Sequence, residues 1–153
     1  MRETNTADRE YMLLALAAAQ AAEKQGEVPV GAVVVIDNKI VTSGFNRTLT
    51  DCDPTAHAEM VAIRKAAQII NNHRLTEATL FVTLEPCAMC MGALIQARIK
   101  RLVFGAYDPK AGAVGSVMDL SNNHQLNHTI EVDGGVLEEE CSGLLRAFFK
   151  ARR

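Results

Sequence analysis

Apolar positions along the chain switch between the helical and the extended period, and each switch marks an element. From Asp8 to Lys24 the chain is rich in Ala and Leu, Met12, Leu16 and Ala19 share one face, and Gly26 follows as a stop signal. This predicts a helix. Val30 to Ile36 is a continuous apolar run dominated by β-branched residues, the pattern of a strand buried on both faces. Asp37-Asn38 is turn chemistry, and Lys39 to Gly44 is the returning strand of a hairpin. Pro54, with Asp53 before it as a cap, predicts the first turn of a second helix, and helical spacing runs over 56–70 through Met60, Ile63 and Ala67. Thr79 to Leu84 is a third strand, Pro86 opens a helix through Ala97, and Lys100 to Phe104 is a fourth strand. A loop over 107–115 contains Pro109, Gly112 and Gly115. A short fifth strand over 129–132 precedes a last helix from Leu137 to about Arg152, with Cys141, Leu144, Leu145, Phe148 and Phe149 at helical spacing.

A hairpin followed by helices alternating with apolar strands predicts an α/β fold, a three-layer α/β/α sandwich around a mixed five-stranded sheet. The sheet is expected to be antiparallel at the hairpin and parallel where helices cross over. The length of 153 residues and the lack of any linker or repeat fit a single domain over 1–153. The composition, 48% hydrophobic and 22% charged, is that of a globular protein. The longest apolar run, 12–19, is far short of a membrane span, and the acidic start is unlike a secretion signal, so the expectation is a cytoplasmic protein with no membrane partner. On that reading Cys52, Cys87, Cys90 and Cys141 are reduced, with Cys52 and Cys141 as small core residues. The net charge of −2 means that any nucleic-acid footprint must be local. Arg146, Lys150, Arg152 and Arg153 fall within the last eight residues with no acid among them, a patch able to steer phosphates. Cations in a last helical turn also serve the helix dipole, which is the simpler account of them.

Two short motifs carry chemistry. His57-Ala58-Glu59 stands at one predicted helix start and Pro86-Cys87-Ala88-Met89-Cys90 at another, with 26 residues between Glu59 and Pro86. Helix starts that follow strands converge on one end of an open α/β sheet, where ligands bind. Cys-x-x-Cys has the spacing of a zinc knuckle, and a helix N-terminus favours the thiolate. With His57 the ligand count is three, which leaves an open position for water, whereas structural zinc sites close with four. Taken singly, the Cys pair is equally a redox pair, His57 a capping or core histidine, and Glu59 a first-turn acid. A closed structural site that recruits His73, His124 or His128 is a further alternative.

The joint pattern H-x-E…P-C-x-x-C is the signature of zinc nucleobase deaminases. With it the chain resembles the cytidine deaminase-like superfamily, and within that the branch of bacterial tRNA-specific adenosine deaminases. The resemblance runs through the segments 27–32, 44–46, 53–59, 86–93, 97–99, 103–106 and 108–113, then Gly115-Ser116, and on to the Phe-Phe-Lys-Ala-Arg-Arg ending. Tyr107 departs from it, standing where a variable or basic residue is expected. It implies one zinc per chain held by His57, Cys87 and Cys90, with Glu59 as the catalytic proton carrier. It implies substrate binding by Asn46 and by the backbone near Ala58 and Glu85. RNA contacts are expected from Asp108, Lys110, Phe149, Arg152 and Arg153. The implied reaction converts adenosine to inosine at the wobble position of a tRNA anticodon stem-loop, and the implied assembly is a homodimer. Two rivals share some of these features. A guanine, cytosine or deoxycytidylate deaminase would have every zinc residue but no use for the basic tail, and a non-catalytic zinc or RNA-binding module would leave Glu59 without a role.

Overall fold

The computed structural model describes residues 5–123, 125–126 and 128–152. Nine elements follow one another: α1 (Thr6–Lys24), β1 (Gly31–Ile36), β2 (Lys39–Phe45), α2 (Ala58–Ile70), β3 (Thr79–Leu84), α3 (Ala88–Gln96), β4 (Arg101–Ala106), β5 (Glu131–Asp133) and α4 (Glu138–Ala151). The strands form one sheet in the order β2-β1-β3-β4-β5. Strand β1 is antiparallel to both of its neighbours, whereas β3, β4 and β5 pair in parallel. Thus β2 to β5 all point one way, and β1 alone runs against them.

Alternation along the central strands separates two cores. Val33, Val35, Phe81 and Val103 face Met12, Ala15 and Leu16 of α1 and Cys141 of α4. Ala32, Val34, Leu80, Val82, Leu102 and Phe104 face Ala62, Ile63 and Ala66 of α2 and Leu94 and Ile95 of α3. That places α1 and α4 on one side of the sheet and α2 and α3 on the other, the three layers expected from the sequence. At Gly31 a Cβ would stand 2.1 Å from the Ala15 carbonyl oxygen, so the lack of a side chain is what lets β1 lie directly on α1. At the hairpin, Asp37 and Asn38 both have positive φ, as a two-residue primed turn requires. The opposite sheet edge is tied down by Arg101. Its guanidinium grips buried Asp8 of α1 at 3.0 and 2.7 Å and reaches Asp133 of β5 at 2.7 Å.

Three details depart from the sequence expectations. Asp53 and Pro54 do not start α2: Asp53 Oδ1 accepts from the Thr55 amide at 2.9 Å and its hydroxyl at 2.7 Å, a local turn. The Ala56 carbonyl accepts from the Arg47 amide at 2.9 Å and His57 is still extended, so the helix begins only at Ala58. Similarly, Pro86 precedes α3 without opening it, because its carbonyl accepts from Ala113 at 2.8 Å and Cys87 is still extended. Finally, Cys52 is exposed with φ 48°, in a turn, and is not a core residue, whereas Cys141 is buried against Gly105.

Candidate active site

Because β2 and β3 are co-directional, the chain leaves both at the same end of the sheet, and α2 and α3 start there on the same face. His57 is the N-cap of α2 and Cys87 the N-cap of α3, and neither makes a side-chain capping bond. Their side chains turn toward each other instead. His57 Nδ1 lies 3.7 Å from Cys87 Sγ and 3.5 Å from Cys90 Sγ, and the three donor atoms lie within 4.8 Å of one another. Asn46, just beyond β2, takes over part of the vacant capping role at α2: its Oδ1 accepts from the Ala58 amide at 2.9 Å.

The electrostatics follow from this crowding. The Cys87 thiolate accepts from the Cys90 thiol, then from His57 and the Cys90 amide, and its pKa is lowered to about 3. Cys90, as the donor in that pair and buried, has its pKa raised. His57 is raised by its bond to Cys87. One thiolate, a second thiol that would release its proton to solvent as a metal binds, and an imidazole at this spacing make a donor set that fits zinc. Glu59 is 4% exposed, and burial pushes its pKa up to about 7, in the range of a group that both takes and gives protons near neutrality.

The alternative of a closed four-ligand site finds no support among the described residues. His128 Nε2 is 2.7 Å from the Ile99 carbonyl oxygen, and the metal-compatible cluster among them contains His57, Cys87 and Cys90 without a fourth member. His124 lies outside the described residues.

Of the other expected contacts, Asp108, Lys110 and Phe149 come together. They line a groove of about 710 Å³ between the strand ends Leu84 and Ala106 and helix α4, with Tyr107, Arg146 and Lys150. Phe149 is half exposed there, whereas Phe148 is buried. Arg152 is placed differently: its guanidinium packs 3.5 Å over the Phe148 ring and donates to the Phe148 carbonyl. Arg153 lies outside the described residues. Both backbone amides assigned to the base edge are already committed, Ala58 to Asn46 and Glu85 to the Ala106 carbonyl at 2.8 Å.

Two carboxylates that sequence reasoning left without a structural role flank this end of the molecule. Glu27 accepts from the Leu49 amide at 3.2 Å, from the Thr50 amide at 2.7 Å and from the Thr48 and Thr50 hydroxyls. Glu85 accepts from the amides of Asp108, Val114 and Ser116 at 3.0, 3.0 and 3.1 Å and from the Ser116 hydroxyl. Burial alone would raise both pKa values, yet these donors leave both lowered. Each acid therefore holds a loop as a buried anion. The sequence signal was an acid beside a strand followed or preceded by apolar residues and proline, which shows burial but not the partner.

Comparison with known proteins agrees with the geometry. Residues 5–106 match the model of the cytidine and deoxycytidylate deaminase zinc-binding region. A tRNA-specific adenosine deaminase of Haemophilus influenzae is 52% identical over 95% of this chain and 85% of its own length. The corresponding protein of Bacillus subtilis is 48% identical over 97% and 92%. A solved structure studied for A-to-I editing by tRNA:A34 deaminases at the wobble position superposes with a TM-score of 0.86. It shares 43% identity over 89% of this chain and 99% of that one. A guanine deaminase from Nitrosomonas europaea superposes at 0.78 with 24% identity, a likeness of fold alone. The converging histidine and cysteines, the buried acid beside them and these likenesses place the chain in the cytidine and deoxycytidylate deaminase family of zinc-dependent hydrolases, within its branch of tRNA-specific adenosine deaminases.

Proposed function

We propose that the protein hydrolyses the exocyclic amine of adenosine at the wobble position of a tRNA anticodon loop, giving inosine and ammonia. The observation that carries this reading is the buried Glu59 carboxyl, in the first turn of α2 beside a His57–Cys87–Cys90 cluster. It is joined by 42–52% identity to five tRNA-specific adenosine deaminases over nearly the whole chain.

His57, Cys87 and Cys90 would hold zinc, which when bound would supply the Lewis acidity that lowers the pKa of water toward about 7. Glu59 then does the proton work. It accepts a proton from the attacking water and delivers it to adenine N1, which makes C6 electrophilic. After the water oxygen has bonded to C6, Glu59 takes the remaining proton of the new C6 hydroxyl and gives it to the amino group. The C6–N bond breaks as the C6 carbonyl forms and ammonia leaves, and the two water hydrogens end on N1 and on ammonia. A carboxyl with a pKa of about 7 is matched to both halves of that cycle. Asn46, fixed through Oδ1 to the start of α2, offers its Nδ2 amino group to the target nucleoside.

RNA contact is assigned to the groove of Tyr107, Asp108, Lys110 and Phe149, with Lys150 and Arg146 on its lining. Aromatic faces for stacking beside cations for phosphates are the means by which unpaired nucleotides are held. An anticodon loop suits a recessed site because its bases leave the stack at little cost. The protein acts as a homodimer on this reading, in the compartment where tRNA is processed. No helix among the described residues is long and apolar enough to cross a membrane. Incubation of the zinc-loaded protein with total tRNA, followed by sequencing, tests the proposal. Inosine is expected at the wobble adenosine, and its absence there rejects the proposal.

A further inference from the structure

We propose that the Glu85 carboxylate is a positioning residue that sets the register between the Asp108–Ser116 loop and the start of α3, and so governs how well the RNA is held. The loop spans nine residues and its described backbone forms neither helix nor strand, apart from an isolated bridge between Val114 and Asp119. Its geometry must therefore come from elsewhere. Glu85 is 2% exposed, and among the described residues its side-chain donors come from this loop: Oε1 takes the Asp108 amide and the Ser116 hydroxyl, and Oε2 takes the Val114 and Ser116 amides. The next residue reinforces the clamp, since the Pro86 carbonyl accepts from Ala113 at 2.8 Å. Residue 87 is already a thiolate of the cluster and the N-cap of α3. Three consecutive residues thus fasten the loop on one side and the metal-binding donors on the other.

Gly112 shows how tightly the anion is enclosed. A Cβ there would stand 2.3 Å from the Glu85 carboxyl carbon, so the loop wraps the acid with no room for a side chain. What the clamp presents is the segment Asp108–Lys110, whose turn is closed by Asp108 Oδ1 accepting from the Lys110 amide at 3.0 Å. Lys110 and Asp108 both line the groove beside α4. Release of Glu85 would let this segment drift relative to Cys87 while leaving Glu59 on α2 untouched. The inference rests on the reading that this groove meets RNA, and its physical core, the clamp itself, can be measured without RNA.

The test uses the zinc-loaded full-length protein and its Glu85→Gln and Ser116→Ala variants. Glutamine is isosteric but turns an amino group toward two of the four donors, and alanine deletes only the hydroxyl contact. Hydrogen exchange is read at the amides of Asp108, Val114 and Ser116, and KM and kcat on an anticodon stem-loop. Loss of charge-assisted bonds predicts exchange about 10-fold or more faster at these amides in Glu85→Gln, with smaller acceleration in Ser116→Ala. The KM for the stem-loop is expected to rise by about 10-fold while kcat and zinc content hold, since the lost contacts act in binding. Should Glu85→Gln fail to fold, Ser116→Ala alone decides by the same two readouts. Unchanged loop exchange overturns the clamp. Faster exchange with unchanged KM, or a fall in kcat at unchanged KM, overturns its role in holding RNA. If the unmodified protein leaves the stem-loop intact, the proposed function is what fails, and the exchange data still judge the clamp.

Discussion

Glu59 and Asn46 show how little of a residue's role its type reveals. An acid in the first turn of a helix is favoured by the dipole wherever it occurs. Glu59 differs because its turn is buried, its carboxyl is desolvated to a pKa of about 7, and His57 and Cys90 stand beside it. Replacing it with Ala is expected to keep about one zinc per chain and cost at least about 10²–10⁴ in kcat, the usual contribution of a placed acid-base group. Cys90→Ala, by contrast, removes a ligand and is expected to release the metal. Metal analysis alongside single-turnover kinetics separates the two, and zinc loss in Glu59→Ala would make Glu59 a ligand. The spacing of His57, Glu59, Cys87 and Cys90 was legible without a structure because each motif sits at a helix start. The second job of Asn46, capping α2 in place of a histidine whose ring is engaged elsewhere, was not legible, since its partner Ala58 is 12 residues away across a turn.

At the scale of elements, strands read more reliably than helix starts. The runs 31–36 and 79–84 are apolar on both faces and bounded by turn residues, and their predicted bounds agree with β1 and β3 to within a residue. The starts of α2 and α3 are delayed past their prolines because the preceding backbone is paired with other loops. A long-range tie of the same kind buries Asp8, at the start of the predicted first helix, on Arg101, 93 residues on. Glu27 is the clearest case: it holds the 48–50 turn as an anion, its pKa lowered from the ordinary 4.5. A folded-state pKa below the unfolded one adds stability that is complete above about pH 4.5 and vanishes as the pH falls through the folded value. Glu27→Gln is expected to cost about 1–3 kcal/mol at pH 7. The gap between it and the unmodified protein is expected to close as the pH is lowered from 7 to about 3. Urea unfolding at each pH measures that gap. A gap independent of pH would mean that Glu27 is not anionic in its loop.

For the whole molecule, one sheet direction organises everything: the ends of β2, β3 and β4 deliver Asn46, the Glu85–Cys87 segment and Asp108 to one edge. On an acidic chain, Lys110, Arg146 and Lys150 along the groove at the ends of β3 and β4 concentrate positive charge that attracts phosphates. Lys110→Ala and Lys150→Ala are each expected to weaken stem-loop binding and to flatten its dependence on salt by up to about 0.7 in log–log slope, the value for one lost single-strand phosphate contact. Titrations between low and physiological salt read this directly, and an unchanged slope in both would move the RNA off the groove. The central claim, that this zinc site serves an adenosine presented by an anticodon loop, is tested most directly by substrate competition in one assay. The zinc-loaded protein is given an anticodon stem-loop with adenosine at the wobble position, free adenosine and free guanine at equal concentration and fixed salt. Inosine is expected in the stem-loop, with little turnover of either small molecule. Efficient release of ammonia from guanine or free adenosine, with the stem-loop left intact, would contradict it.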